Sequence, residues 1–148
     1  MENYEEARKL IERSGDGDFE GPKPEALIAL AERRLGLGFP ASYRRFLGEY
    51  GCGDIEGLEI YGLINENFEF AGVPDAIGVT LKARRNWGLA QTLVIISRPG
   101  DGSSHALDTS QTLAGECPVV AFNAVGGAHE QIAESFGDYL LQELKNIL

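Results

Sequence analysis

The chain has 148 residues, of which 43% are hydrophobic and 24% charged, the size and balance of one soluble globular domain able to bury a core without metal or disulfide support. Its net charge of −10 repels DNA, RNA and anionic lipid and favours a basic partner. Its two cysteines, Cys52 and Cys117, are too few for a cysteine-rich metal site and are expected as free thiols.

Chain order predicts helices first. Tyr4, Ala7, Leu10 and Ile11 recur at helical spacing within Glu2 to Arg13. The Ser14-Gly15-Asp16-Gly17-Asp18 stretch then breaks the pattern. A second helix is expected from Pro24 to Leu35, its stripe made by Leu27, Leu30, Ala31 and Leu35 and its end at Gly36 or Gly38. A third runs from Pro40 to Tyr50, with Tyr43, Phe46, Leu47 and Tyr50 on one face and Gly51 as the left-handed stop.

The middle of the chain reads as strands. They are Leu58 to Tyr61, Thr92 to Ser97, Ser104 to Leu107 and Pro118 to Phe122, with a weakly helical basic segment from Asp75 to Trp87. A long final helix is expected from about Glu130 to Ile147, on the spacing of Ile132, Phe136, Leu140 and Leu144. This order gives an α+β fold: one domain over residues 1–148, with a mostly antiparallel or mixed central sheet flanked by N-terminal helices and a long C-terminal helix. The acidic start lacks a secretory pattern and no apolar run approaches the ~20 residues of a membrane span, so a cytoplasmic protein without membrane contact is expected.

Catalytic and ligand-binding patterns fail one by one. His105 and His129 have no nucleophile at a recognisable spacing, and no G-x-S-x-G turn is present. The glycines from Gly51 to Gly57 have the wrong spacing for a dinucleotide loop and follow a helix, so they read as a helix stop and turn. The Asp16 to Gly21 run resembles the opening of an EF-hand loop, but Leu27 stands where the bidentate glutamate belongs. No catalytic residue, metal or cofactor is expected, and a hydrolase built on a cysteine or a carboxylate pair is the weakest alternative.

Charge is the informative feature. No Lys or Arg falls between Arg45 and Lys82, a stretch that carries Glu49, Asp54, Glu56, Glu59, Glu66, Glu69 and Asp75. A second such stretch, from Arg98 to Lys145, holds Asp101, Asp108, Glu116, Glu130, Glu134, Asp138 and Glu143. The bases gather at Arg8-Lys9, Arg33-Arg34, Arg44-Arg45 and Lys82 to Arg85. Such segregation can build a negative field that speeds encounter with a cationic partner.

The run Leu37-Gly38-Phe39-Pro40-Ala41-Ser42-Tyr43-Arg44-Arg45-Phe46-Leu47, followed by Glu49-Tyr50-Gly51-Cys52-Gly53, resembles the signature of the SUKH superfamily. Leu58 to Gly62, Leu93 to Ile96 with Ala106 to Thr109, and Gly115 to Val120 leading to Ile132 to Phe136 fit the same pattern in order and spacing. That superfamily holds bacterial immunity proteins that neutralise toxins, often nucleases, and fungal regulators of cell-wall assembly. The resemblance implies an α+β scaffold without cofactor or catalytic set, in which Tyr43, Phe46, Leu47 and Gly51 serve the fold. The expected function is an immunity protein that blocks a cognate toxin with a basic surface; the alternative is a regulatory or scaffold module. The partner-binding residues expected are Glu56, Glu59, Glu66, Glu69 and Asp75, with Tyr61 or Phe68 as aromatic anchors, on a monomer or weak dimer.

Overall fold

A computed structural model describes residues 1–69, 72, 74–123 and 129–148. The helices α1 (Glu2–Ser14), α2 (Glu25–Leu35) and α3 (Ala41–Glu49) follow their apolar periodicity to within a residue or two. Left-handed Gly15 and Gly36 end the first two, and Gly51 follows the third at φ 75°. In α2 the buried residues are Ile28, Ala31 and Leu35, so the stripe is turned slightly from the expected one and Leu27 and Leu30 lie at its margin.

Between and after them come two antiparallel sheets. The small one orders β1 (Asp18–Phe19), β2 (Gly53–Ile55) and β3 (Leu58–Ile60) side by side. The large one runs in sequence through β4 (Leu93–Ser97), β5 (Ser103–Asp108), β6 (Val119–Asn123) and β7 (Glu130–Ala133). The helix α4 (Ala76–Trp87) precedes β4, and α5 (Phe136–Ile147) closes the chain. The fold is α+β, as expected.

The large sheet is covered on both faces, which explains why β4 is apolar without interruption. Val94, Ile96, Leu107 and Val119 join the main core with α1, α2, α3 and α5, where Tyr4, Tyr43, Phe46, Phe136 and Tyr139 are fully buried. Leu93, Ile95, Ala106 and Val120 form a second cluster with Ala76, Val79 and Ala83 of α4. The small sheet hangs from the edge of the large one: Tyr61 N–H donates to the Ile96 carbonyl at 2.7 Å, and the Ser97 hydroxyl donates to the Glu59 carbonyl at 2.7 Å.

One expectation is corrected at the C-terminus. The predicted helix from about Glu130 is a strand followed by a helix: Val119, Val120 and Ala121 of β6 pair with Ala133, Gln131 and Glu130. The Ser135 hydroxyl accepts the Asp138 N–H and starts α5. Apolar residues every fourth position satisfy a helix, yet sheet pairing available only in three dimensions claims the first of them, Ile132.

Ser42 ties three elements together. Its hydroxyl donates to Glu116 at 2.9 Å and accepts the Gly137 N–H at 3.1 Å, and its own N–H donates to Glu116. Ser42→Ala strands a buried N–H at the start of α5, and an unmade bond of this kind costs about 1–3 kcal/mol. Urea unfolding is expected to show this loss as a lower midpoint with an unchanged slope.

Candidate functional site

The small sheet is built from a hairpin whose turn, Glu56-Gly57, has positive φ at both residues, 49° and 85°. A two-residue hairpin loop of that shape matches the twist of its strands, and a glutamate at its first position accepts backbone strain. β1 lies close against β2 because Gly53 has no side chain: a Cβ there would overlap the Asp18 carbonyl oxygen and stand 2.7 Å from Phe19 Cα.

The register of these strands sets Asp18 opposite Asp54, and Asp54 opposite Glu59. Directly paired residues of an antiparallel sheet project to the same face, about 5 Å apart. Three carboxylates therefore form a row across the sheet, and like charges so placed oppose folding. None of the three has an ion-pair partner among the described residues. Beside them, Asp18, Glu20, Asp54 and Glu59 line a shallow cavity of about 240 Å³ over Phe19 and Cys52. Glu20 alone is neutralised, by Lys23 at 3.3 Å. A second cavity of about 340 Å³ continues from Glu59 past Glu56 to Arg98 and Glu143.

The expected partner residues separate into two groups. Glu56 is exposed at the hairpin tip, Glu59 is half-buried in the carboxylate row, and Glu66 is exposed in the following loop. Tyr61 and Phe68 lie inside, 4% and 5% exposed, in the second and the main core cluster respectively, so neither is a surface anchor. Glu69 is exposed but paired with Arg34 and Arg85. Asp75 is fully buried and caps α4, where one carboxylate oxygen accepts the N–H groups of Ile77 at 2.9 Å and Gly78 at 3.2 Å. The second acidic stretch is largely occupied with local structure: Asp101 holds Ser103, Asp108 caps a turn, Glu116 holds Ser42 and Asp138 accepts from Asn3.

Asp18 and Asp54 belong to the row but are not among the partner-binding residues expected from sequence. A strand of two or three residues is too short to display a period of two, and only pairing brings these positions together. The Gly51 to Gly57 segment is a helix stop and turn, as expected, but also contains β2.

Burial pushes the Asp75 carboxyl up from 3.8 to about 6, partly offset by the two backbone N–H groups. Its second oxygen has no hydrogen-bond partner among the described residues. A carboxyl raised in the folded state penalises folding above that value, and the penalty is relieved as pH falls through it. Asp75→Asn keeps an acceptor for the cap and removes the charge. The stability difference between parent and variant is expected to narrow by about 1 kcal/mol from pH 7 to pH 5, measured by urea titration at each pH.

Among the described residues nothing assembles a reactive centre around the thiols. Burial raises Cys52 to about 11 and Cys117 to about 12, so both are protonated at neutral pH. The cavities that Cys52 and Cys117 line contain no histidine. His105 lies 2.9 Å from the Tyr139 hydroxyl. Among the described residues no three His, Cys, Asp or Glu side chains are placed to hold a metal ion, and no helix is long and apolar enough to cross a membrane.

A sequence model of the SUKH_5 family, described as SMI1-KNR4 cell-wall, matches residues 2–145. The match takes in every helix and strand described above except the last residues of α5. The chain belongs to this SUKH family.

Proposed function

We propose that this protein is a cytoplasmic, non-catalytic immunity protein that docks the acidic face of its small sheet on the basic substrate-binding surface of a toxin domain. Membership of the SUKH family supports a protein-binding role of immunity-like or regulatory kind. The single observation that carries the finer reading is the row Asp18, Asp54 and Glu59, three carboxylates set side by side with no ion-pair partner among the described residues. Folding gains nothing from that row, whereas an inhibitor of a polyanion-binding enzyme gains electrostatic steering and mimicry of the substrate. Of the residues expected from sequence, Glu59 belongs to the row and Glu56 lines the adjoining cavity, Glu66 is exposed in the following loop, and Tyr61, Phe68 and Asp75 are buried. One domain comprising all 148 residues, acting as a monomer or weak dimer, fits this task.

The regulatory alternative draws on the family description, SMI1-KNR4 cell-wall, and needs no toxin. The product of the neighbouring gene separates the two. Capture of a toxin domain encoded there, with protection of cells that express it, is the expected result. Lack of both binding and protection, with capture of an endogenous regulatory partner, favours the alternative.

A further inference from the structure

We propose that Arg34 and Arg85 form a carboxylate clasp that the chain's own Glu69 occupies, and that an acidic segment of a protein partner takes the place of Glu69. The two arginines come from the last turns of different helices, α2 and α4. Both guanidinium groups reach the same carboxylate oxygen, Oε1 of Glu69, at 3.2 Å and 2.9 Å. Arg84 fixes the two helix ends against each other by donating to the Leu35 carbonyl at 3.0 Å and the Gln91 carbonyl at 2.8 Å.

Cations in the last turn of a helix ordinarily complement its dipole. Here Arg33, Arg34, Arg84 and Arg85 share two adjoining helix ends, and Glu69 is their one ion-pair partner among the described residues. Burial, and to a lesser extent the nearby Arg34, hold the Arg84 guanidinium below its ordinary value. A local excess of positive charge therefore persists in a chain of net charge −10. Screening over about 8 Å at physiological salt lets that local sign dominate at contact distance.

The occupant is a carboxylate because the resident group is one. Arg34, Arg85 and Glu69 are 46%, 55% and 40% exposed, and exposed ion pairs of this kind are worth little, so a multivalent acidic segment can displace Glu69. This surface is separate from the carboxylate row and does not rest on the toxin reading.

The test uses the full chain, isotope-labelled, titrated at low ionic strength with a capped hexaglutamate peptide while the arginine Nε–H signals are followed by NMR. Glu69→Gln leaves the shape of the exposed side chain and empties the clasp. It is expected to bind the peptide roughly tenfold or more tightly than the parent, with saturating shifts at Arg34 and Arg85. Adding Arg34→Ala and Arg85→Ala should remove those gains, while backbone signals of the sheets report that the fold is intact. The proposal is overturned if Glu69→Gln shows no saturable shift, if the arginine-free variant binds as well, or if inorganic phosphate binds as tightly as the peptide.

Discussion

Under the proposed toxin-binding function, Asp54→Lys is expected to make the protein more stable and a worse inhibitor at once. Asp54 is the middle of the carboxylate row, opposed by Asp18 on one side and Glu59 on the other. A lysine there converts two like-charge cross-strand pairs into two opposite ones, and such pairs contribute roughly 0.2–1 kcal/mol each. Solvent exposure and side-chain entropy favour the lower part of that range, so a gain of about 0.5–1 kcal/mol in urea unfolding is expected. Association with a basic toxin domain should slow about tenfold or more at low salt, with much less effect at high salt, because steering is screened. A control reversal at Glu134, exposed in the turn between β7 and α5, should leave the rate nearly unchanged. An unchanged rate for Asp54→Lys in surface plasmon resonance removes the acidic face from the binding mechanism. Loss of stability instead of gain removes the claim that the row is costly to the fold.

Gly62→Ala is expected to have the largest effect on the fold itself. Gly62 lies where the chain leaves β3 and passes the end of α3. Its N–H donates to the Pro74 carbonyl at 3.0 Å, and its carbonyl accepts the Ala76 N–H at 2.9 Å. On the neighbouring side, Leu63 N–H donates to the Gly51 carbonyl at 2.9 Å. A Cβ on Gly62 would overlap the Gly51 carbonyl oxygen, with the Gly51 carbonyl carbon at 3.0 Å and Leu47 Cδ2 at 2.9 Å. The obstacle is backbone already fixed by hydrogen bonds, so it cannot swing aside as a flexible side chain does. The cost is expected to exceed about 3 kcal/mol, a large part of the 5–15 kcal/mol that holds a typical domain together. Gly48 in α3 provides the contrast: a Cβ there meets nothing within 4 Å. Gly48→Ala should stabilise by roughly 0.5–1 kcal/mol through helix propensity. Equal midpoints for the two variants in urea would contradict this assignment of Gly62.

Carboxylates that are neighbours in the chain meet different fates in space. Glu49, Glu69 and Asp75 belong to the same base-free stretch as Asp54, Glu56, Glu59 and Glu66, yet they are consumed by Tyr4 and Arg45, by Arg34 and Arg85, and by a helix cap. Position along the chain does not separate these fates. Proximity in space does, since a carboxylate pairs with whatever cation or N–H the fold delivers within about 3 Å.

What could be read from the sequence was what local physics dictates. Helical spacing, glycine stops and a continuous apolar run identify α1, α2, α3, α4 and β4, because each is specified by residues within a few positions of one another. The Leu37 to Gly53 run and its companions likewise point to the SUKH family. The structure alone decided that Glu130–Ala133 is a strand, that Tyr61, Phe68 and Asp75 are interior, and that Asp18 of β1 stands in line with Asp54 and Glu59. These depend on packing and pairing with other segments, from β6 just upstream of β7 to β1 on the far side of α2 and α3 from β2, and the free energy of such contacts is carried by partners outside each segment's own pattern.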